Sequence, residues 1–317
     1  MDKFARNQLL AEIASLYYIE KTTQAKIGKD FGYSRSGISR LLNEAEKEGI
    51  VEISINFPIQ RDFHLEKRLI NEYGLQEAFV LSNDQFEYDK SLQLVGRLGA
   101  MYMEKHLKSS MVIGIGWGTA IFEVVNSLPY LPLEDVRIVQ VLGAIGSKGN
   151  TQIDGPEITS FFVNKLNANY QYLNSPLFLD SKDACLSLKS QKQILDTFNL
   201  AYQSDYVLLG IGTIDADPHF SSLFRSGFIN EKEVLEIKEK GGVCNLCGAI
   251  YDENGKFLDI DINHRTMAVD LVKLKEGKPK IIGIVAGEKK CEAVKGALNG
   301  GWIDILFTDQ TALCSIL

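Results

Sequence analysis

Two groups of residues have the types and spacing to do chemistry. The first lies in RSGISRLLNEAEKEG. Ile38, Leu41, Leu42 and Ala45 recur at i, i+3, i+4 and i+7, the apolar stripe of a helix. At ~100° per residue the opposite face carries Ser36, Arg40, Asn43 and Lys47, with Arg35 at its edge and Ser39 beside it. Small polar residues near a helix start, with Arg and Asn beyond, allow entry into a major groove and bonding to base edges. The second group is a set of glycine turns. Gly116-Trp117-Gly118-Thr119 follows one apolar run and Ser147, Asn150 and Thr151 follow another. Gly210, Gly212 and Thr213 follow a third, and Gly287, Lys289 and Lys290 a fourth; Arg265 precedes a further helix. A strand, a glycine turn and a helix start leave backbone N–H groups unsatisfied. That arrangement suits phosphate or a dense set of hydroxyls, and a lysine adds a point charge.

The elements that must position these residues follow from periodicity. Residues 8–20 carry Leu9, Ile13, Leu16 and Tyr17 on one stripe. Thr22-Thr23 then offers a cap for a second helix over 24–31, whose start at Gln24 would lie across a DNA backbone with Lys26 or Lys29 near phosphate. Gly32-Tyr33 breaks that helix and Ser34, also expected to meet DNA, caps the next, which stops at Gly49. Val51, Ile53 and Ile55 alternate with polar residues and predict a short wing strand. A connecting helix is expected over 60–73. Beyond it, strands are expected at 78–81, 111–115, 136–142, 205–211, 281–286 and 303–307. Helices are expected at 88–107, 119–127, 157–168, 189–202, 231–239, 266–274, 288–299 and 309–316. Short apolar runs alternating with helices imply an α/β fold: a small helix-turn-helix domain, 1–57, then a Rossmann-like, mostly parallel sheet domain, 58–317.

Charge divides the chain at the same place. Residues 1–57 hold eight basic and eight acidic residues, so the remainder of the 317-residue chain carries the whole net charge of −7. Within the head, Lys21, Lys26, Lys29, Arg35 and Arg40 face only Asp30 over positions 21–40. A basic head on an acidic body suits a head that seeks polyanions and a body that avoids them. With 45% apolar and 24% charged residues the chain can build sizeable cores. No apolar run has the ~18 residues of a membrane helix. The start lacks a cleavage-like site, and the five cysteines have no framework spacing. Together these predict reduced thiols and a cytoplasmic home.

Several weaker signals point elsewhere. Gly114 to Gly118 reads G-x-G-x-G with Thr119 where a dinucleotide fingerprint needs its last glycine, and the next strand ends QVLGAIG without an acid. Nicotinamide binding is therefore not expected, nor any other cofactor. Cys244 and Cys247 form a lone C-x-x-C without a second pair for zinc, so two buried thiols are expected rather than a redox pair or a metal site. Asp215 and Asp217 near His219 read as a polar loop. An enzyme would need an acid–base pair on the pocket rim, for which Asp259 and Asp261 are the candidates. The helical head could instead dock another protein without touching DNA.

The run IASLYYIEKTTQAKIGKDFGYSRSGISRLLNEAEKEGIVEI resembles the helix-turn-helix of the SorC family of bacterial sugar-responsive transcriptional regulators. GIGWGTAI at 114–121, VLLGIGTID at 207–215, GFIN at 227–230, NHRTMAVDL at 263–271 and AGEKKCEAVKGAL at 286–298 follow in the family's order. The resemblance implies a body similar to sugar-phosphate isomerases and deaminases, with catalysis lost and effector binding kept. It implies no enzyme, operator DNA as one partner, and a sugar or phosphorylated sugar as the other. Carried onto this chain, the effector residues are Gly116, Gly118, Thr119, Thr151, Gly212, Arg265 and Lys290, with Ser147 added from the turn reading. Some members hold a sugar aldehyde on a lysine at the strand 136–142; this chain has Leu142, so no Schiff base is expected. Because one head makes few contacts, a homo-oligomer, dimer or tetramer, is expected to align several heads on an operator.

Overall fold

Thr23 and Ser34 decide where the helices of the N-terminal unit begin. In the computed structural model, which describes residues 3–51, 59–82, 86–146 and 154–316, the chain separates into two units, Met1–Pro58 and Ile59–Leu317. Helix α1, Lys3–Ala14, continues into a π-helical turn over Ser15–Ile19, so this helix starts earlier than its apolar stripe suggests. Helix α2, Gln24–Phe31, starts where the Thr23 side chain accepts the Lys26 N–H, and ends at Gly32, which takes a left-handed φ of 74°. Ser34 then accepts the Gly37 N–H at 3.0 Å and opens α3, Arg35–Lys47. Gly28 admits the Tyr33 carbonyl so closely that a Cβ there would lie 2.5 Å from it, which keeps the turn tight against α2. Leu10, Ile13, Ile27, Ile38, Leu42 and Ala45 fill the small core. Arg6 clamps Glu44 through two bonds of 2.8 and 2.5 Å, tying α1 to α3. The expected wing strand falls almost wholly outside the described residues.

The second unit begins with α4, Phe63–Tyr73, capped by Asp62. Leu65 and Leu69 of α4 are buried in the body's own core, so the expected connector packs on the sheet. In chain order there follow β1 (Glu77–Leu81), α5 (Tyr88–His106), β2 (Val112–Ile115), α6 (Thr119–Ser127), β3 (Arg137–Gln140), α7 (Gly155–Leu166) and β4 (Asn169–Gln171). Next come α8 (Lys182–Lys189), α9 (Lys192–Tyr202), β5 (Tyr206–Thr213), α10 (Ser222–Arg225), α11 (Glu231–Glu239), β6 (Gly242–Leu246) and β7 (Ala249–Asp252). The unit ends with α12 (Asp261–His264), α13 (Leu271–Glu276), β8 (Lys280–Ile284), α14 (Cys291–Asn299) and β9 (Ile305–Asp309).

The strands order β1-β9-β8-β5-β2-β3-β4, all parallel, and β6–β7 form an antiparallel hairpin on the end of β5. Strand residues alternate between two cores. Ile113, Leu208, Ile282 and Phe307 join the apolar cluster that includes α5, α6 and α7. Val112, Val207, Ile281 and Leu306 join the cluster that includes α4, α9, α11 and α14. Helices thus cover both sheet faces, the arrangement that a run of buried parallel strands requires.

Four expectations are corrected. The helix expected over 189–202 is two, because Ser190 and Gln191 interrupt it and Lys192 restarts it. The span 266–274 is extended through Ala268, with Thr266 and Ala268 bridging Phe178 and Leu142, and is helical only from Leu271. The chain at 309–316 has no α-helix: Asp309 ends β9 and only Thr311–Leu313 form a 3-10 turn. Finally, not all cysteines are free thiols. Cys291 and Cys314 are joined, with Cα atoms 5.6 Å apart, while Cys185, Cys244 and Cys247 are free and buried.

Candidate functional site

In the N-terminal unit the apolar stripe of α3 is buried and its opposite face is open. Arg35, Ser36, Arg40, Asn43 and Lys47 are exposed, and Ser39 is half-buried at the edge. Arg35 and Arg40 enter no ion pair among the described residues, so both guanidinium groups keep their donors for a partner. Gln24 is the first residue of α2, and Ser34 is committed to the cap of α3 and to a 3.0 Å contact with the Ser36 hydroxyl. All seven residues expected to meet DNA therefore lie on α3, its cap or the start of α2.

In the body, the chain order reverses between β2 and β5: β3 and β4 lie to one side of this pair, β8 and β9 to the other. A crevice opens there beyond the strands' carboxyl ends, where ligands bind in open α/β sheets. This cleft, about 70 Å³, is lined by Gly116–Thr119 after β2, Gly210–Thr213 of β5, Asn245 and Gly248 of the hairpin, and Lys290. Gly118 has φ 114°, a conformation open to glycine, and no side chain caps α6. The first α6 amides, at Thr119 and Ala120, have no intrahelical acceptor, and both residues line the cleft. Trp117 lines the cleft while its indole N–H donates to Gly143 O at 2.9 Å.

Lys290 stands at the far wall, 7% exposed, its ammonium donating to the Phe220 carbonyl. Burial pushes it down to about 8, and the nearby Arg225 guanidinium adds to the effect; Cys244 and Asp215 oppose it. The turn that carries Lys290 is pinned by buried Asp309, whose carboxylate accepts the Gly287 and Ala312 N–H groups at 3.0 Å each. Arg225 donates to Ser222, another cleft residue.

Of the expected effector residues, the fold brings Gly116, Gly118, Thr119, Gly212 and Lys290 together. Arg265 is not among the cleft residues: it bonds Asp261 at 2.6 Å and the Leu179 carbonyl at 2.9 Å, on the segment following α12. Its i−4 acid explains why, since a helical turn gives Arg265 a partner before any ligand. Ser147 and Thr151 lie outside the described residues. Sequence reading missed Tyr88, Ser221, Ser222 and Asn245, which line the cleft from α5, the α10 turn and the hairpin. The buried cysteines of C-x-x-C agree with two structural thiols: burial raises both Cys244 and Cys247 to about 12.

Residues 58–317 match the family described as "Putative sugar-binding domain". The sorbitol operon regulator of Klebsiella pneumoniae is 30% identical over 96% of this chain and 95% of its own. The chain belongs to the SorC family. A deoxyribonucleoside regulator of Bacillus subtilis is 29% identical, covering 96% of each chain. The full-length crystal structure of SorC from Klebsiella pneumoniae superposes with a TM-score of 0.71 at 27% identity, covering 98% of both chains. These relatives are named as regulators, two of them of an operon for sorbitol, which agrees with the reading of this chain as a sugar-responsive regulator and not an enzyme. Among the described residues no helix is long and apolar enough to cross a membrane.

Proposed function

We propose that residues 1–57 read operator DNA and that residues 58–317 bind a sugar or phosphorylated sugar in the cleft between β2 and β5. Arg35, Ser36, Ser39, Arg40 and Asn43 would meet base edges or their rims, while Gln24 and Ser34 hold backbone phosphate. Gly116, Gly118, Thr119, Gly212 and Lys290 would hold the effector, together with Ser147 and Thr151. Arg265 drops out because it does not line the cleft and is held by Asp261 and the Leu179 carbonyl. The chain works in the cytoplasm as a dimer or tetramer, so that several heads share one operator.

One observation carries the effector reading: open α6 amides and the buried Lys290 ammonium line the same crevice at the chain-order reversal. Amides and one partly neutralised cation suit an anion flanked by hydroxyls. The effector must bind two states of the protein unequally, or it shifts nothing.

The test is thermal shift and calorimetry of the full chain against sugars, sugar alcohols and their phosphates, with gel-shift assays on duplexes from the neighbourhood of its gene. A phosphorylated sugar that raises the melting temperature and alters the shift supports the reading. Failure of every duplex, with and without these compounds, overturns the DNA assignment; failure of every compound overturns the cleft assignment.

A further inference from the structure

The β6–β7 hairpin turns at Cys247 and Gly248, both with left-handed φ, 51° and 78°. That turn is a partition. Cys247 lines the cleft on one side and a second cavity on the other. The second cavity measures about 500 Å³, against 70 Å³ for the cleft, and lies within the size range of small-molecule sites. Its walls are aromatic: Phe198, Tyr202, Tyr251, Phe257 and Trp302. Tyr251 meets Trp302 at 5.5 Å and Phe257 at 6.0 Å between ring centroids.

Tyr251 is the telling residue. It is only 4% exposed as a residue and lines the cavity, and its hydroxyl, which forms no hydrogen bond with the described residues, is left accessible there. Tyr202 lines the same space; its oxygen accepts the Asp270 N–H at 3.0 Å and its proton is left to give. Two tyrosines thus line one aromatic chamber. The mouth is apolar, with Leu195 and Val272 nearly half exposed. Lys189 and Lys273 also line it, against the single carboxylate of Asp270, which accepts the Val272 and Lys273 amides as a cap.

We propose that this cavity is a second ligand site, separate from the sugar cleft, and that it takes a planar aromatic carboxylate. The ring system stacks among Tyr251, Phe257 and Trp302. The carboxylate accepts from the tyrosine hydroxyls and lies toward Lys189 and Lys273. The assignment does not depend on what occupies the cleft.

The two tryptophans of the chain make the test selective, since Trp117 lines the cleft and Trp302 the cavity. In the full-length Trp117→Phe variant, 2-naphthoate should change the Trp302 emission and saturate at one equivalent per chain by calorimetry. Tyr251→Phe should weaken 2-naphthoate at least fivefold, because it removes a donor to the carboxylate, without lowering the melting temperature, because no protein hydrogen bond among the described residues is lost. Val272→Glu, at an exposed position, should weaken it severalfold by placing a negative charge at the mouth. Lys290→Met should leave 2-naphthoate binding unchanged, whatever it does to sugar phosphates. The proposal is overturned by three results: no saturable binding, binding indifferent to both Tyr251→Phe and Val272→Glu, or binding that vanishes as protein concentration rises. The last would show that a second copy of the chain fills the cavity instead.

Discussion

The two working regions are built on opposite plans. The head places charged and polar side chains on the outside of a short helix, with its apolar residues beneath. The body places backbone amides and one buried ammonium at the bottom of a crevice. The difference has an energetic cause. A DNA reader must offer donors to a large polyanion, so exposure costs nothing and long Arg side chains can adapt. An effector site must distinguish small molecules, so it excludes water and holds its donors fixed before the ligand arrives.

The largest expected effect lies in the body. Lys290→Met keeps an unbranched side chain one atom shorter and removes a buried charge. Affinity for a phosphorylated sugar should fall by roughly 2–3 kcal/mol, the value of a hydrogen bond to a charged group. Unliganded operator binding should stay as in the parent protein. The variant should unfold at the same or a higher temperature, since a depressed lysine is held charged against its own desolvation. Calorimetry and thermal melting read both halves of this. Unaltered phosphate affinity would remove the buried ammonium from the site and erase the contrast with the head.

The complementary test acts on the head. Arg40→Ala should cost roughly 1–3 kcal/mol of operator binding, with a shallower salt slope if the lost contact is to phosphate and an unchanged slope if it is to a base. Effector binding should not move. Because Arg40 is exposed and enters no ion pair among the described residues, little fold stability is at stake. A gel shift with parental affinity would count against α3 as the reading helix.

The contrast also governs how much could be read from sequence. The face of α3 was legible because 3.6-residue periodicity states which side chains are out, and Thr23, Ser34 and Gly32 mark the ends. The parallel sheet was legible from its apolar runs, and the Gly116–Thr119 turn from its glycines. The β6–β7 hairpin was not: GVCNLCGAIYD carries no Asn-Gly or Asp-Gly signal, and its turn uses Cys247 in a left-handed conformation that few side chains adopt. With the hairpin went Asn245, and with the short α10 turn went Ser221 and Ser222. Arg265 misled because its type fits an anion site while its i−4 neighbour Asp261 decides where it points. Asp309 was invisible for a similar reason: its role is to hold the Gly287 turn from a strand end 22 residues away, as the carboxylate–amide bond shows. Groups gathered by long-range closure leave no local pattern.

A pH series separates the plans further. In the free protein Lys290 is pushed to about 8; an anion in the cleft favours its charged form and raises it. Binding then takes up a proton wherever the free lysine has lost one. Affinity should be flat below about pH 7 and fall roughly tenfold between pH 7 and 9. Of the other groups facing Lys290, burial raises Cys244 to about 12, and Arg225 is lowered by burial but, as a guanidinium, stays charged. Calorimetry in buffers of different ionisation enthalpy measures the proton uptake. A flat profile through pH 9 would mean that Lys290 does not touch the anion.

The smallest expected effect concerns Ser34, where a structural and a functional role overlap. Its hydroxyl caps α3 and is also a proposed phosphate contact. Ser34→Ala should cost about 1 kcal/mol of stability in the N-terminal unit, and Ser34→Gly only a few tenths, because glycine is itself a fair N-cap. Both tryptophans belong to the body, so circular dichroism should register the loss while tryptophan emission stays at its parental midpoint. If the hydroxyl only caps, operator affinity should return with stability in the glycine variant. If it also holds phosphate, the glycine variant should remain weak in gel shifts with the head fully folded. The second outcome is expected, since a helix start offers its amides and its cap hydroxyl to the same anion.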